Sequence, residues 1–394
     1  MFHWPDDVPR LTDGQVSLRA HREHDLDAIV EMCRDPITKR WAANVPAAYG
    51  PADAESFLRD VIAPGWKSET ARGWAIEAAD ETGTLRYAGN VDIRGVRDAT
   101  IGFVLHPWAR GHGVMSSAVR QALQWSFAEA EIALVTWMAQ VGNVASRRVA
   151  WASGFTFRGT MPRVLRRTGP VADAWIATVV AGDDLSPKTR WLTPPVLRGE
   201  RLRLRPFTDA DILRIVEACS DARTRHWLAT LPSPYTADSA RAYLDSMPAA
   251  ESMDHRVAWC IADPETDLLL GTIAIFDLDG DDPSSGEIGY WTHPAAREQG
   301  VMTAAVGLIV DHALAPHGDG GLGLRRLQLL AAAGNVASAT IARRTGFVEV
   351  GRERQAELLG DGSHDDLLTF DLLASDGEPA GPVLPPVPVT GECA

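Results

Sequence analysis

Hydrophobic and polar positions along the chain follow two rhythms, and each rhythm occurs twice. Val16-Ser17-Leu18-Arg19 and Leu202-Arg203-Leu204-Arg205 alternate apolar with polar, the period of a half-buried strand. Asp25 and Asp211 then stand where a helix begins, ahead of Ile29-Val30 and Ile215-Val216. A second helix is expected after Tyr49-Gly50-Pro51-Ala52-Asp53 and after Tyr235-Thr236-Ala237-Asp238. Three strand-like runs follow in each half, at 74–78, 87–93 and 101–105, and again at 258–262, 269–275 and 287–291. Met115, Val119 and Leu123 then recur every fourth residue, as do Met302, Val306 and Val310, which marks one apolar helix face. A strand at 132–137 or 327–331 comes next. A short helix from Asn143 or Asn335 and a last strand at 174–179 or 367–372 complete each half. This order predicts an α/β fold, with a mixed sheet and helices on both its faces.

The two halves are one sequence written twice. Trp41, Pro46 and Tyr49 match Trp227, Pro232 and Tyr235 at an offset of 186. Ile101-Gly102 and His106-Pro107 match Ile288-Gly289 and His293-Pro294. Gly142-Asn143-Val144-Ala145-Ser146 reappears as Gly334-Asn335-Val336-Ala337-Ser338, at an offset of 192. The extra residues map to the turn-rich stretch 316–323, where an insertion costs little. The repeat sets expected boundaries: one domain over 1–185, a proline-containing linker at 186–195, and a second domain over 196–374. The Pro/Gly-rich tail 375–394 is expected to be disordered.

Composition narrows the function. A chain of 394 residues can bury two cores. Its net charge of −14 argues against nucleic-acid partners. No apolar run is long enough for a membrane span, and the acidic, proline-broken start Met1–Asp7 does not read as a secretory signal. Cys33, Cys219, Cys260 and Cys393 form no CxxC pair and no metal-ligand spacing. A reducing cytoplasm and a metal-free site are therefore expected.

The sharpest chemical signal lies between the third strand of each run and the periodic helix. It reads Arg110-Gly111-His112-Gly113-Val114-Met115-Ser116 and Arg297-Glu298-Gln299-Gly300-Val301-Met302-Thr303. Glycines admit tight backbone angles, and successive amides at a helix N-terminus form an anion cradle. Arg110 or Arg297 adds a charge-assisted partner. Neither loop is a Walker loop or a dinucleotide fingerprint.

This loop, followed by Asn-x-x-Ser and by Gly154-Phe155 or Gly346-Phe347, resembles the GCN5-related N-acetyltransferase (GNAT) superfamily. Glu287-Ile288-Gly289-Tyr290 and the His-Pro pair resemble its branch that acetylates the N-termini of ribosomal proteins. The resemblance covers nearly the whole chain, once per copy. It implies two tandem domains, each a mixed, mostly antiparallel sheet with a splayed strand pair that takes the cofactor. Acetyl-CoA would lie along the backbone of Val104-Leu105 and Trp291-Thr292. Its pyrophosphate would sit on the amides of 111–116 and 298–303, and Asn143 and Asn335 would bond the pantetheine.

The implied chemistry is acetyl transfer to a primary amine, either a protein N-terminus or a small molecule. Ser146 and Ser338 stand where the family places a proton donor; a helix N-terminal hydrogen bond is the plainer role for them. Glu287 is a candidate base, and Thr100 stands in its place in the first copy. The second copy is therefore expected to be the catalytic one, with the first a degenerate binding or packing partner. A non-catalytic acyl-CoA sensor or scaffold is the alternative. Trp41, Trp227, Tyr49 and Tyr235 could line an acceptor cleft or fill core. His106 and His293 read as structural. The chain could be a monomer with an internal pseudo-dimer or a homodimer.

Overall fold

The computed structural model describes residues 8–42, 45–167 and 169–377. Most of the expected disordered tail thus lies outside the described residues; its first part, with Ala374, forms a 3-10 turn at Ala374–Gly377. The chain divides into two compact units between Arg190 and Trp191.

The first unit runs β1 (Leu11–Thr12), β2 (Val16–Arg19), α1 (Leu26–Arg34), α2 (Pro36–Trp41) and α3 (Pro51–Ser56). A π-helical stretch, Phe57–Ile62, carries α3 into α4 (Ala63–Ser68). Then come β3 (Ala71–Ala79), β4 (Leu85–Arg94), β5 (Asp98–Leu105), α5 (Val114–Glu129), β6 (Leu134–Gln140), α6 (Val144–Ala152), β7 (Thr156–Arg167) and β8 (Gly169–Val180). The second unit runs β9 (Leu197–Arg198), β10 (Arg203–Arg205), α7 (Ile212–Ser220), α8 (Ala222–Trp227), α9 (Ala237–Ser252), β11 (Val257–Ala262), β12 (Leu269–Phe276) and β13 (Ser285–Thr292). It ends with α10 (Val301–Leu314), β14 (Arg326–Ala332), α11 (Val336–Arg344), β15 (Val348–Leu358) and β16 (His364–Leu373).

Each unit holds one eight-stranded sheet, ordered β1-β2-β3-β4-β5-β6-β8-β7 and, equivalently, β9-β10-β11-β12-β13-β14-β16-β15. The pairs β5–β6 and β13–β14 are parallel, and the other pairs are antiparallel. The sheets are mixed and flanked by helices, as the pattern predicts. Some elements of the two units escape that pattern. β1 and β9 are two residues long. α2 and α8 are six residues, too short to show a period. β15 reads Val-Glu-Val-Gly-Arg-Glu-Arg-Gln-Ala-Glu-Leu and lies mostly exposed, so no apolar face announces it.

The repeated residues anchor the same contacts twice. Trp74 and Trp259 are fully buried, and their indole N–H groups donate to Pro9 O (3.1 Å) and Pro195 O (2.9 Å). A buried indole needs such an acceptor. Arg19 and Arg205 end the first long strand of each unit and grip Asp25 and Asp211 bidentately at 2.8–2.9 Å. Those carboxylates also accept the Arg22 and Thr208 backbone N–H groups at 2.7 Å, which fixes where the first helix starts. Both partners of each pair are almost wholly buried, and losing the arginine would leave a buried carboxylate uncompensated, a cost of about 3–5 kcal/mol.

Candidate active site

The parallel strand pairs part company midway. β13 pairs with β14 only from Ser285 to Ile288, and β5 pairs with β6 only from Asp98 to Ile101. Beyond Ile288, residues Gly289–Thr292 keep their bonds to β12 alone; Gly102–Leu105 keep theirs to β4 alone. One edge of each strand is therefore left without a strand partner, and the fork opens toward the following helix. An extended ligand can use such an edge as a strand would.

The chain leaves each fork through a 3-10 turn and reaches the loop. Gly113 (φ 75°) and Gly300 (φ 73°) cap α5 and α10 in the left-handed region, and Gly111 (φ 84°) matches Glu298 (φ 63°). A Cβ built on Gly111, Gly113 or Gly300 meets nothing within 4 Å, so the loop surface is open. No side chain caps either helix. The first amides of each helix are thus free to receive an anion, and the helix dipole favours it. Met115 and Met302 are buried, so of these residues only the backbone faces the loop. His112 is exposed. The Gln299 side chain turns back to donate to Ala295 O at 2.8 Å and takes no part in the cleft wall.

The loop arginines reach back to the second helix of their unit, and Arg297 also lines the cleft of its unit. Arg297 Nη2 donates to Asp221 Oδ2 (2.5 Å) and Thr224 Oγ1 (2.8 Å). Arg110 Nη2 donates to Asp35 Oδ2 (2.7 Å), Thr38 Oγ1 (2.9 Å) and Leu105 O (3.3 Å). Asp35 and Asp221 are the N-caps of α2 and α8. Burial alone would raise these carboxyls, but the arginine and the Thr backbone N–H outweigh it and hold them below the usual range. Each arginine thus ties the loop to the N-terminus of α2 or α8.

Asn143 and Asn335 cap α6 and α11, their Oδ1 atoms accepting the N–H of Ser146 (3.2 Å) and Ser338 (3.3 Å). The cap is therefore the asparagine and not the serine, whose hydroxyl is free for another bond. In the second unit that bond is with Tyr290: Oη lies 3.0 Å from Ser338 Oγ. In the first unit Phe103 replaces the tyrosine, and Ser146 Oγ instead accepts from Trp137 Nε1 at 3.1 Å.

A cleft of about 590 Å³ follows the fork of the second unit. That volume is ample for a coenzyme-sized ligand arm. The loop, Trp291, Thr292, Asn335 and Ser338 line it, and Trp227 and Leu228 close one side. Glu287 enters it one residue before the fork. Burial raises the Glu287 carboxyl above its ordinary value, and the neighbouring charges of Asp277 and Glu357 push the same way. Side chains alternate along a strand, so Glu287 and Tyr290 stand on opposite sheet faces. Among the described residues no group of His, Cys, Asp and Glu is arranged to hold a metal, and no helix is long and apolar enough to cross a membrane.

The sequence pattern of the acetyltransferase (GNAT) domain matches this chain twice, over residues 15–156 and 201–348. The chain belongs to the GNAT acetyltransferase family. A Bacillus subtilis (strain 168) protein named "Putative ribosomal N-acetyltransferase YdaF" is 28% identical over 184 residues, covering 46% of this chain and 95% of that protein. Among solved structures, a GNAT-family acetyltransferase from Bacillus anthracis is 16% identical (TM-score 0.40), covering 46% of this chain and 99% of its own. Mycobacterium smegmatis RimJ in complex with CoA-disulfide is 18% identical (TM-score 0.42), covering 48% and 91%. These relatives are each about one GNAT domain long.

Three features of the second GNAT domain's site lie outside the candidate residues read from sequence. Tyr290 was legible only as part of a motif; its place beside Ser338 depends on the strand–helix packing. Glu357 reaches the cleft from β15, whose polar sequence gives no warning. Arg344 lines it from the last turn of α11. Of the aromatic pairs, Tyr49 and Tyr235 are core, and Trp227 is at the cleft.

Proposed function

We propose that the second GNAT domain transfers an acetyl group from acetyl-CoA directly to a primary amine. The observation that carries this reading is Glu287, a carboxyl of raised proton affinity at the fork of an open cleft. Glu287 accepts the proton that the attacking amine gives up, directly or through a water. Ser338 stands on the other face of the strand, where it can donate a proton to the departing sulfur. The free edge of Trp291-Thr292 aligns the pantetheine, Asn335 offers its amide N–H₂ to it, and the amides of 298–303 hold the pyrophosphate. Backbone N–H groups at the fork steady the oxyanion.

The curated relative's name points to a ribosomal-protein N-terminus as the acceptor. The carboxylates of Glu287 and Glu357 suit a cationic amine of that kind or a small molecule. Three buried free thiols, Cys33, Cys219 and Cys260, fit a cytoplasmic enzyme.

The first GNAT domain has the same fork and loop but Thr100 and Phe103 in place of Glu287 and Tyr290, which favours a binding or packing role. The test is to incubate the full chain and acetyl-CoA with amines and N-terminal peptides, and to follow acetylation by mass. Transfer that Glu287→Gln suppresses supports the reading. Coenzyme A binding without transfer to any amine would favour a sensor or scaffold.

A further inference from the structure

We propose that Tyr290 and Ser338 form a two-hydroxyl relay, in which Tyr290 re-protonates Ser338 as Ser338 protonates the departing thiolate. The inference rests on the reading of the second domain as catalytic. It adds a residue that acts through Ser338.

The geometry brings the pair together. Tyr290 Oη and Ser338 Oγ are 3.0 Å apart, and both residues line the cleft. Each is held from behind. Ser338 is buried at the start of α11, its N–H tied to Asn335. Tyr290 projects from the unpaired half of β13 and packs against the core that includes Ile288 and Leu329. Glu287 approaches from the opposite sheet face. The amine's proton and the sulfur's proton are thereby handled on separate sides of one strand.

Chemistry supplies the reason for a second hydroxyl. An aliphatic alkoxide is a much stronger base than a thiolate, so serine alone is a poor donor. A phenol is the better acid. Burial pushes the Tyr290 phenol up to about 12, with the Ser338 bond opposing the rise. It stays protonated at neutral pH and remains a better acid than an alkyl hydroxyl. As the carbon–sulfur bond breaks, its electron pair goes to sulfur. The Ser338 proton moves to sulfur, and the Tyr290 proton moves to Ser338 Oγ. Water returns a proton to the tyrosinate, matched by the amine proton that leaves through Glu287.

The first domain provides the contrast. Ser146 there accepts from the Trp137 indole, and Phe103 has no hydroxyl. An indole N–H steadies an oxygen but does not release its proton, so that serine has no relay behind it.

The test uses the full chain and two readouts. The first is ionisation of the thiol of bound coenzyme A, followed by its ultraviolet absorbance across pH. Tyr290→Phe and Ser338→Ala are each expected to move that ionisation to higher pH, by about one pH unit. The second is steady-state transfer. Tyr290→Phe is expected to lower kcat about 10–100-fold with the KM for acetyl-CoA unchanged, and the double variant to be no slower than Ser338→Ala. Replacing Tyr290 by 3-fluorotyrosine, of nearly the same shape but more acidic, should keep the wild-type rate. Losses that multiply in the double variant, an unshifted thiol titration, or a phenylalanine-like loss with fluorotyrosine would overturn the relay. If the wild-type chain acetylates no amine, the catalytic reading fails, and the thiol titration still decides the pair.

Discussion

At the fork of the second domain stand Glu287, Tyr290 and Leu329; at the fork of the first, Thr100, Phe103 and Trp137 hold the same positions. The backbone around them is the same in register, in the point where the strands separate, and in the paired left-handed residues of the loop. The first domain has spent its space on packing. Trp137 is buried where Leu329 sits, and Arg147 lies 3.7 Å over Phe157 and 4.7 Å over Trp175. Burial draws that guanidinium down to about 10. The equivalent positions in the second domain are Ala339, Glu349 and Leu368. A carboxylate does survive near the first fork: Asp92, which faces Gly102. It is buried, its proton affinity raised by that burial, and Arg94 Nε sits 2.5 Å away. The two domains thus share one framework, its core and its struts, and differ in the side chains at the fork.

The largest expected effect is on the base. Glu287→Gln should lower turnover about 10²–10⁴-fold, with Thr100→Ala and Asp92→Asn within twofold of the parent in steady-state rates. A loss confined to the Thr100 or Asp92 variant would reverse the roles of the domains. The pH profile sharpens the same point. Glu287 must be ionised to act, and its affinity for protons is raised, so kcat/KM should fall as pH drops through a midpoint above the ordinary 4.5. That fall is about tenfold per pH unit, and an acid limb at or below 4.5 would remove Glu287 from the role.

The loops offer a smaller, two-way exchange. Glu298 holds a left-handed conformation that Gly111 adopts freely. Glu298→Gly should stabilise the chain by about 1 kcal/mol and strengthen coenzyme A binding severalfold by removing a negative charge beside the pyrophosphate. Gly111→Glu should do the reverse in the first domain, and calorimetry reads both. The smallest effect is on stability. Because the Glu287 carboxyl has a raised proton affinity in the fold, its ionised form costs stability at neutral pH. The cost vanishes as pH falls below the ordinary value and the group protonates in both states. Glu287→Gln should therefore raise Tm slightly at pH 7 and leave it unchanged near pH 4.

Much of this was legible in the residues. The duplication, the long strands, the periodic helices and the loop follow from spacing, because burial imposes periods of about two and four on a chain. The arginines read from sequence only as a positive charge beside an anion loop; their aspartate partners do not show there. Their partners, Asp35 and Asp221, lie 75 and 76 residues away and come within reach only in the fold. Tyr290 reads as a motif letter, and its value comes from a contact with Ser338 across 48 positions. Glu357 sits on a strand without an apolar face. Pairings of this length depend on packing that no local period encodes.

Hydrogen–deuterium exchange of the full chain with and without coenzyme A tests the central claim most directly, because it reports on each domain separately. The account predicts protection at 287–303 and 335–344, around the second fork, its loop and the start of α11. Protection confined to 101–116 and 143–152 would place the working site in the first domain and contradict it.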